Sequence, residues 1–115
     1  MKPFIELTTM SEIDHFIETN KLAFLFLSKP NCSVCESLLP QIKPVMKKYP
    51  AVKTARINTE VVPEVAGKFS IFTVPVLILF YKGKEYLREA RIVPINPFEE
   101  KIKRIVDGVN AESHE

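Results

Sequence analysis

The chain has 115 residues, of which 46% are hydrophobic and 26% charged, and its net charge is +2. This length and balance are ordinary for one globular domain, so we predict a single domain over residues 1–115 with a polar tail at 110–115. No run of like charge is long enough for a nucleic-acid-binding arm. Residues Met1–Glu6 lack the apolar core of a signal peptide, and the apolar stretch Ile71–Tyr81 is too short to span a bilayer. These features predict a cytoplasmic protein that binds neither nucleic acid nor membrane.

The start of the chain predicts a strand, a helix and a second strand. We expect a short strand over Phe4–Leu7. Thr9 and Glu12 match a capping box, which predicts a helix from Thr9 to about Asn20. Leu22–Leu27 is apolar without polar alternation, a pattern typical of a central strand that is covered on both faces.

A long second helix is predicted from near Cys32 to Tyr49. Pro40 and Pro44 lie inside it, and each removes a backbone donor and crowds the carbonyl group four residues earlier. We therefore expect a kink, with two shorter helices as the alternative. The apolar stripe of this helix consists of Leu38, Leu39, Ile42, Val45, Met46 and Tyr49.

The second half of the chain predicts a mixed set of elements. Three further strands are expected at Val52–Asn58, Val76–Tyr81 and Glu85–Ala90. A short helix follows Pro63, and Lys82–Lys84 forms the turn of a hairpin. The last helix is expected to begin with Asn96 as its N-cap, to include Val109 in its apolar stripe, and to be ended by Gly108 and the polar tail Asn110–Glu115. The order β-α-β-α-β-α-β-β-α indicates an α/β fold with a mixed central sheet and helices on both faces.

The only two cysteines lie in Asn31-Cys32-Ser33-Val34-Cys35, between the apolar strand and the long helix. Two intervening residues in a first helical turn bring both sulfurs to one face, close enough to bridge. A helix N-terminus carries unpaired N–H groups and a partial positive charge, which favour thiolate over thiol. We therefore predict a dithiol redox site in which Cys32 attacks a disulfide and Cys35 resolves the mixed disulfide.

Two other uses of the cysteine pair are weaker explanations. A structural zinc ion usually needs four Cys or His ligands, and this chain adds only His15 and His114. A purely structural disulfide would close a loop of four residues and would therefore stabilise the fold weakly. We expect redox chemistry, and no metal site within one chain.

Four features, in order, resemble the thioredoxin family over about Thr9–Val109. They are the apolar strand before Cys32–Cys35, Pro40 five residues after the second cysteine, Thr73-Val74-Pro75 before a buried strand, and the Lys82-Gly83-Lys84 turn. The resemblance implies a thioredoxin fold with a cis peptide bond before a proline that faces the cysteines. From the residues alone, a trans proline at the start of a strand is the alternative.

The resemblance also implies where a substrate binds. Members of the family use backbone groups beside this proline to pair with an extended substrate segment, which is a form of strand addition. Thr73, Val74 and Pro75 are therefore the expected substrate-binding residues.

Several positions depart from the pattern of the family. Asn31 stands where the family has tryptophan, Ser33-Val34 where it has Gly-Pro, and Arg91 where a glycine faces the cysteines. Phe26 replaces a buried aspartate that serves the inner cysteine, and Arg56 replaces the lysine that accompanies it. Efficient thioredoxin-like turnover is therefore an open question.

Some residues are expected to tune the site without reacting, namely Asn31, Ser33, Val34, Lys29 and Arg91. Positive charge on Lys29 and Arg91 near the cysteines would favour the Cys32 thiolate, so we predict a low Cys32 pKa combined with slow resolution. The alternative is that both are solvated surface charges.

These features favour a thioredoxin-like thiol–disulfide oxidoreductase that needs no bound cofactor. Its substrate would be a disulfide-containing protein or a low-molecular-weight disulfide, and a reductase or thiol would supply electrons. One alternative is a poorly active binding module that holds a partner in the groove around Pro75. Another is a dimer that shares a zinc ion or an iron–sulfur cluster through two cysteine pairs.

Overall fold

Strands and helices alternate through the first part of the chain, and a hairpin and a helix complete it. The computed structural model describes residues 4–113. Its elements are β1 (Ile5–Leu7), α1 (Met10–Thr19), β2 (Leu22–Ser28), α2 (Ser33–Lys47), β3 (Lys53–Asn58), α3 (Val65–Lys68), β4 (Val76–Tyr81), β5 (Lys84–Ala90) and α4 (Ile95–Ser113). This is the predicted order of elements.

The strands form one mixed sheet in the order β1-β3-β2-β4-β5. β3 runs parallel to both β1 and β2, while β4 is antiparallel to β2 and to β5. The hairpin between β4 and β5 turns through Lys82 and Gly83, which both have positive φ, as two-residue hairpin turns require. The predicted α/β architecture with a mixed sheet is confirmed.

Every residue of β2 is buried, because helices cover both faces of the sheet. Leu25 and Leu27 pack into a cluster with Phe16 of α1. Phe24 and Phe26 point to the other face and pack into a second cluster, which includes residues of α2 and α4. The continuous apolar pattern of β2 thus supplies both cores, and it explains why the strand lacks polar alternation.

Thr9 caps α1 as predicted, but the reciprocal contact differs from a capping box. The backbone N–H of Glu12 donates to Thr9 Oγ1 at 3.1 Å. The Glu12 carboxylate accepts from the backbone N–H of Thr8 at 2.8 Å, one residue before the cap. This bond is the main reason that the pKa of Glu12 is lowered.

α2 is one helix that contains both Pro40 and Pro44, so the alternative of two shorter helices is wrong. Both prolines are exposed. The carbonyl groups of Glu36 and Pro40 lose their helical donors, but these residues face solvent, where water can satisfy a carbonyl. The helix ends at Lys47 rather than at the predicted Tyr49.

Both predicted ends of α4 were wrong. The helix begins at Ile95, and the N–H of Phe98 donates to Pro94 O at 3.1 Å, so Asn96 lies inside the first turn rather than at the N-cap. The helix continues past Gly108 to Ser113, because burial of Val109 (8% exposed) offsets the cost of one helical glycine. The predicted polar tail from residue 110 is therefore helical as far as Ser113.

Candidate redox site

The two cysteines lie where β2 leads into α2. β2 ends at Ser28, and the chain turns sharply through Asn31, whose φ is 61°. Cys32 then takes the N-cap position of α2. The predicted position of the pair at a helix N-terminus is therefore observed.

Cys32 and Cys35 form a disulfide with a Cα–Cα distance of 5.3 Å. The backbone N–H of Cys35 donates to Cys32 Sγ at 3.2 Å. Cys32 is half-buried, whereas Cys35 is only 4% exposed. The outer sulfur is therefore open to a reactant and faces the positive end of the helix, where a thiolate is stabilised.

The segment Thr73-Val74-Pro75 precedes β4, and the peptide bond between Val74 and Pro75 is cis. Val76 pairs with Leu27 near the end of β2, so this segment lies at the same end of the sheet as the cysteine loop. Thr73 is exposed, Val74 is half-buried and Pro75 is buried. The backbone groups of this segment are thus within reach of an extended chain that approaches the sheet end.

Arg91 follows β5 and contacts the same segment through its backbone. Its N–H donates to Pro75 O at 2.8 Å, and its φ of 64° is uncommon for a residue with a side chain. The Arg91 side chain is exposed. The position at which the family has glycine therefore has a left-handed backbone in this chain, although the residue is arginine.

The other predicted tuning residues surround the cysteines. Asn31, Ser33, Val34 and Lys29 are all exposed. Within residues 4–113, neither Lys29 nor Arg91 forms an ion pair. Both cations are therefore available to an approaching anion, and no contact given by the structure joins either charge to Cys32.

A cavity of about 430 Å³ opens beside Cys35, and the sequence did not predict it. Its lining includes Phe26, Glu36 and Arg56. Phe26 is 1% exposed, and among the described residues Ser28 is the only buried polar side chain. The inner cysteine therefore has no buried carboxylate beside it, but charged groups reach the cavity that it lines.

Exposed apolar side chains flank the site, and sequence reasoning missed two of them, Phe72 and Ile92. Phe72 is 93% exposed, Ile92 is 84% exposed and Val34 is 48% exposed. These residues adjoin Thr73, Arg91 and the cysteine pair in the sequence. Their positions in the sequence could have revealed them, because each apolar residue is adjacent to a residue already assigned to the site.

Neither a metal-ligand cluster nor a membrane-spanning helix is found among residues 4–113. Residues 4–113 hold no group of three His, Cys, Asp or Glu side chains arranged for a metal ion. None of the helices in that range combines the length and apolar character needed to cross a bilayer.

Comparison with known proteins identifies the family. Residues 4–104 match the sequence model of Thioredoxin. The chain belongs to the thioredoxin family. The thioredoxin-like protein YdfQ of Bacillus subtilis is 46% identical over 105 residues, which cover 91% of this chain and 94% of that protein. Thioredoxin-1 of Saccharomyces cerevisiae is 30% identical over 89 residues, covering 77% of this chain and 84% of the yeast protein.

Solved structures show the same fold. Thioredoxin of Fasciola hepatica superimposes with a TM-score of 0.78 at 22% identity, over 88% of this chain and 98% of that chain. Oxidised mitochondrial thioredoxin 3 of Saccharomyces cerevisiae gives 0.77 at 19% identity, over 88% and 94%. The predicted thioredoxin fold is therefore confirmed. The family and the cysteine pair support a thiol–disulfide oxidoreductase in general terms, since thioredoxins act on disulfide substrates with a reductant.

Proposed function

We propose that this protein reduces disulfides by dithiol/disulfide exchange at Cys32-Ser33-Val34-Cys35. The supporting observation is the position of Cys32 as the N-cap of α2, where its sulfur accepts the N–H of Cys35 at 3.2 Å. The same N–H stabilises a thiolate once the disulfide is reduced, because hydrogen bonds to charged acceptors are the stronger ones.

The reaction proceeds in two exchanges. The Cys32 thiolate attacks one sulfur of the substrate disulfide, forms a mixed disulfide and releases the other sulfur as a thiolate, which solvent protonates. Cys35 then loses its proton and attacks Cys32 Sγ, which releases the second substrate thiolate. Two electrons pass to the substrate, and the protein is left with the Cys32–Cys35 disulfide.

Thr73, Val74 and Pro75 form the substrate groove in this proposal. The Val74 backbone pairs with an extended substrate segment that carries the disulfide, and the exposed side chains of Phe72 and Ile92 cover its apolar residues. Substrates are therefore proteins whose disulfide lies in an accessible, extended segment, or low-molecular-weight disulfides.

The cycle closes when a reductase or a low-molecular-weight thiol reduces the Cys32–Cys35 disulfide. The exchange needs no bound cofactor, because all bonds that break and form join sulfur atoms. We place this activity in the cytoplasm, where a single close cysteine pair is more often catalytic than structural.

A binding module is the second candidate, and Phe26 favours it. Phe26 fills the core beside Cys35, where the family has a carboxylate that serves the inner cysteine. If Cys35 then resolves the mixed disulfide slowly, the protein would hold a partner rather than release it.

Reduction of insulin by dithiothreitol separates these candidates. We expect the wild-type protein to accelerate insulin precipitation, and Cys32→Ser to lose the acceleration. Lys84→Gln, on the far edge strand β5, is the matched control and should retain full activity. A wild-type rate equal to the uncatalysed rate would reject the enzyme and support the binding module.

Two further measurements complete the test. The redox potential of the cysteine pair against a glutathione buffer series determines the direction of electron flow. Metal analysis of protein purified without oxidant tests the alternative of a dimer that shares a zinc ion or an iron–sulfur cluster. Such a dimer would contain a stoichiometric amount of metal.

A further inference from the structure

A second, larger cavity lies along the β1 edge of the sheet, and neither cysteine lines it. Within residues 4–113, β1 pairs with Ala55–Ile57 of β3, and no strand pairing on that side is formed by the first two residues of β3, Lys53 and Thr54. Lys53 is five residue steps from Asn58 at the redox end of β3, or roughly 16 Å of strand. The gap beside the short edge strand is a cavity of about 930 Å³ between α1, α2 and β3.

The inner wall of this cavity is apolar. Phe16 of α1, Met46 of α2 and Val52 line it, and their exposed fractions are only 4–6%. Phe4 and Leu7 extend the wall along the edge strand. The volume falls in the range of small-molecule sites, which are mostly apolar with a few polar groups at defined places.

The rim of the cavity is positively charged. Lys43, Lys47 and Lys53 line it, and within residues 4–113 none of them forms an ion pair. Glu12 is the only carboxylate in the lining, and Thr8 already donates two hydrogen bonds to it. The rim therefore offers three unpaired cations above an apolar wall.

We propose that this cavity binds an amphipathic carboxylate with a single alkyl chain, that is, a free fatty acid of medium length. The alkyl chain lies against the apolar wall, and the carboxylate contacts the lysines at the rim. A neutral apolar ligand would leave the lysines without a partner, and a cationic amphiphile would meet three like charges. The proposal does not depend on the redox function, because no cysteine lines this cavity.

Chain length and head-group charge give measurable expectations. Each methylene group that the cavity buries should raise the affinity by about fourfold, so decanoate should bind more tightly than octanoate, and dodecanoate more tightly still. Removal of two exposed lysine charges should weaken binding by roughly 2- to 30-fold. High salt should also weaken binding, because it screens exposed charges.

The test uses dodecanoate below its micellar concentration and isothermal titration calorimetry on the full chain. The variant K47Q/K53Q removes two rim charges, and K82Q/K84Q removes two charges at the β4–β5 turn as a matched control. Lys43 is left intact because it also lines the cavity beside Cys35. We expect weaker binding only for K47Q/K53Q, and no saturable binding of dodecyltrimethylammonium, which has the same chain and a cationic head.

Amide chemical shifts locate the ligand independently of the variants. Binding in the cavity should move the signals of Thr19, Val52 and Lys53, and leave those of Phe72 and Ile92 unchanged. The double variant C32S/C35S should bind dodecanoate with wild-type affinity. The proposal is overturned by absence of saturable binding, by equal affinity for the cationic amphiphile, or by shifts confined to Phe72 and Ile92.

Discussion

The acidity of Cys32 is the property on which the proposed chemistry most depends. The variant Cys35→Ala leaves Cys32 as the only thiol, and it keeps the backbone N–H that donates to Cys32 Sγ at 3.2 Å. Cys32 should therefore titrate alone in an almost unchanged site. We expect its pKa to lie well below that of a free thiol, because the charged sulfur accepts this N–H at a helix N-terminus.

Two contributions determine how far the pKa of Cys32 should fall. A hydrogen bond to a charged group contributes about 1.5–3 kcal/mol, and an exposed helix terminus adds about 0.3–1 kcal/mol. Cys32 is half-buried, so competition from water favours the lower values. The lower values give a total of about 1.8 kcal/mol, which corresponds to a roughly twentyfold larger ratio of thiolate to thiol.

Glu36 acts in the opposite direction. Its carboxylate lies in the first turn of α2, where a second negative charge disfavours the thiolate. Glu36→Gln in the Cys35→Ala background should therefore lower the Cys32 pKa further. The same substitution at Glu100, in α4, is the matched control and should have no effect.

Ultraviolet absorbance of the thiolate gives the measurement, in native protein and in denaturant. Cys32→Ala provides the companion titration, since it leaves only Cys35, which is 4% exposed, and burial should raise the pKa of that thiol. A Cys32 pKa equal to or above the denatured value would refute the reasoning from the helix N-terminus.

Three further predictions test the fold. Gly83→Ala should destabilise the protein by about 1–2 kcal/mol, because φ is 81° at this position, although an added Cβ meets nothing within 4 Å. Gly67→Ala, at a helical position that is equally open, should instead stabilise the protein by about 0.5–1 kcal/mol. Changes of the same sign in the free energy of unfolding by urea would contradict this. Phe98→Ala should cost about 3–5 kcal/mol in the same assay, because Phe98 is fully buried; a cost below about 1 kcal/mol would contradict this. Hydrogen bonds from Thr8 lower the pKa of Glu12 from 4.5 in the folded protein. The contribution of Glu12 to folding stability is therefore complete above pH 4.5 and is lost as the pH falls through the pKa of the folded state. Glu12→Gln should therefore lower the melting temperature at pH 7 but not in strong acid, and an equal loss at both would contradict this.

Features that depend on a short stretch of sequence could be predicted. The uninterrupted apolar run of Leu22–Leu27 predicted a central strand, because only a strand covered on both faces tolerates it. Thr9 predicted the start of α1 through a local cap. The cysteine spacing predicted a bridged pair at the start of α2, since both sulfurs belong to one helical turn.

Features that depend on register or on solvent could not be predicted in the same way. The 930 Å³ cavity is lined by residues of α1, α2 and β3 that lie far apart in the sequence, and no local pattern in β3 reveals it. The continuity of α2 depends on which face of the helix meets solvent at Pro40 and Pro44. The left-handed backbone at Arg91 accompanies a hydrogen bond from its N–H to Pro75 O. Pro75 is far from Arg91 in the sequence, so no local pattern predicts this contact.

The burial of Phe26 bears on both proposed functions, because it affects the proton of Cys35. Desolvation of the inner thiol disfavours its thiolate and slows its attack on a mixed disulfide. The neighbouring cavity of about 430 Å³ is far larger than the roughly 30 Å³ occupied by one water molecule, and Glu36 and Arg56 line it. Water in that cavity can accept the Cys35 proton without a buried carboxylate. We therefore expect Cys35 to resolve the mixed disulfide slowly rather than not at all, as a slow oxidoreductase would and a pure binding module would not.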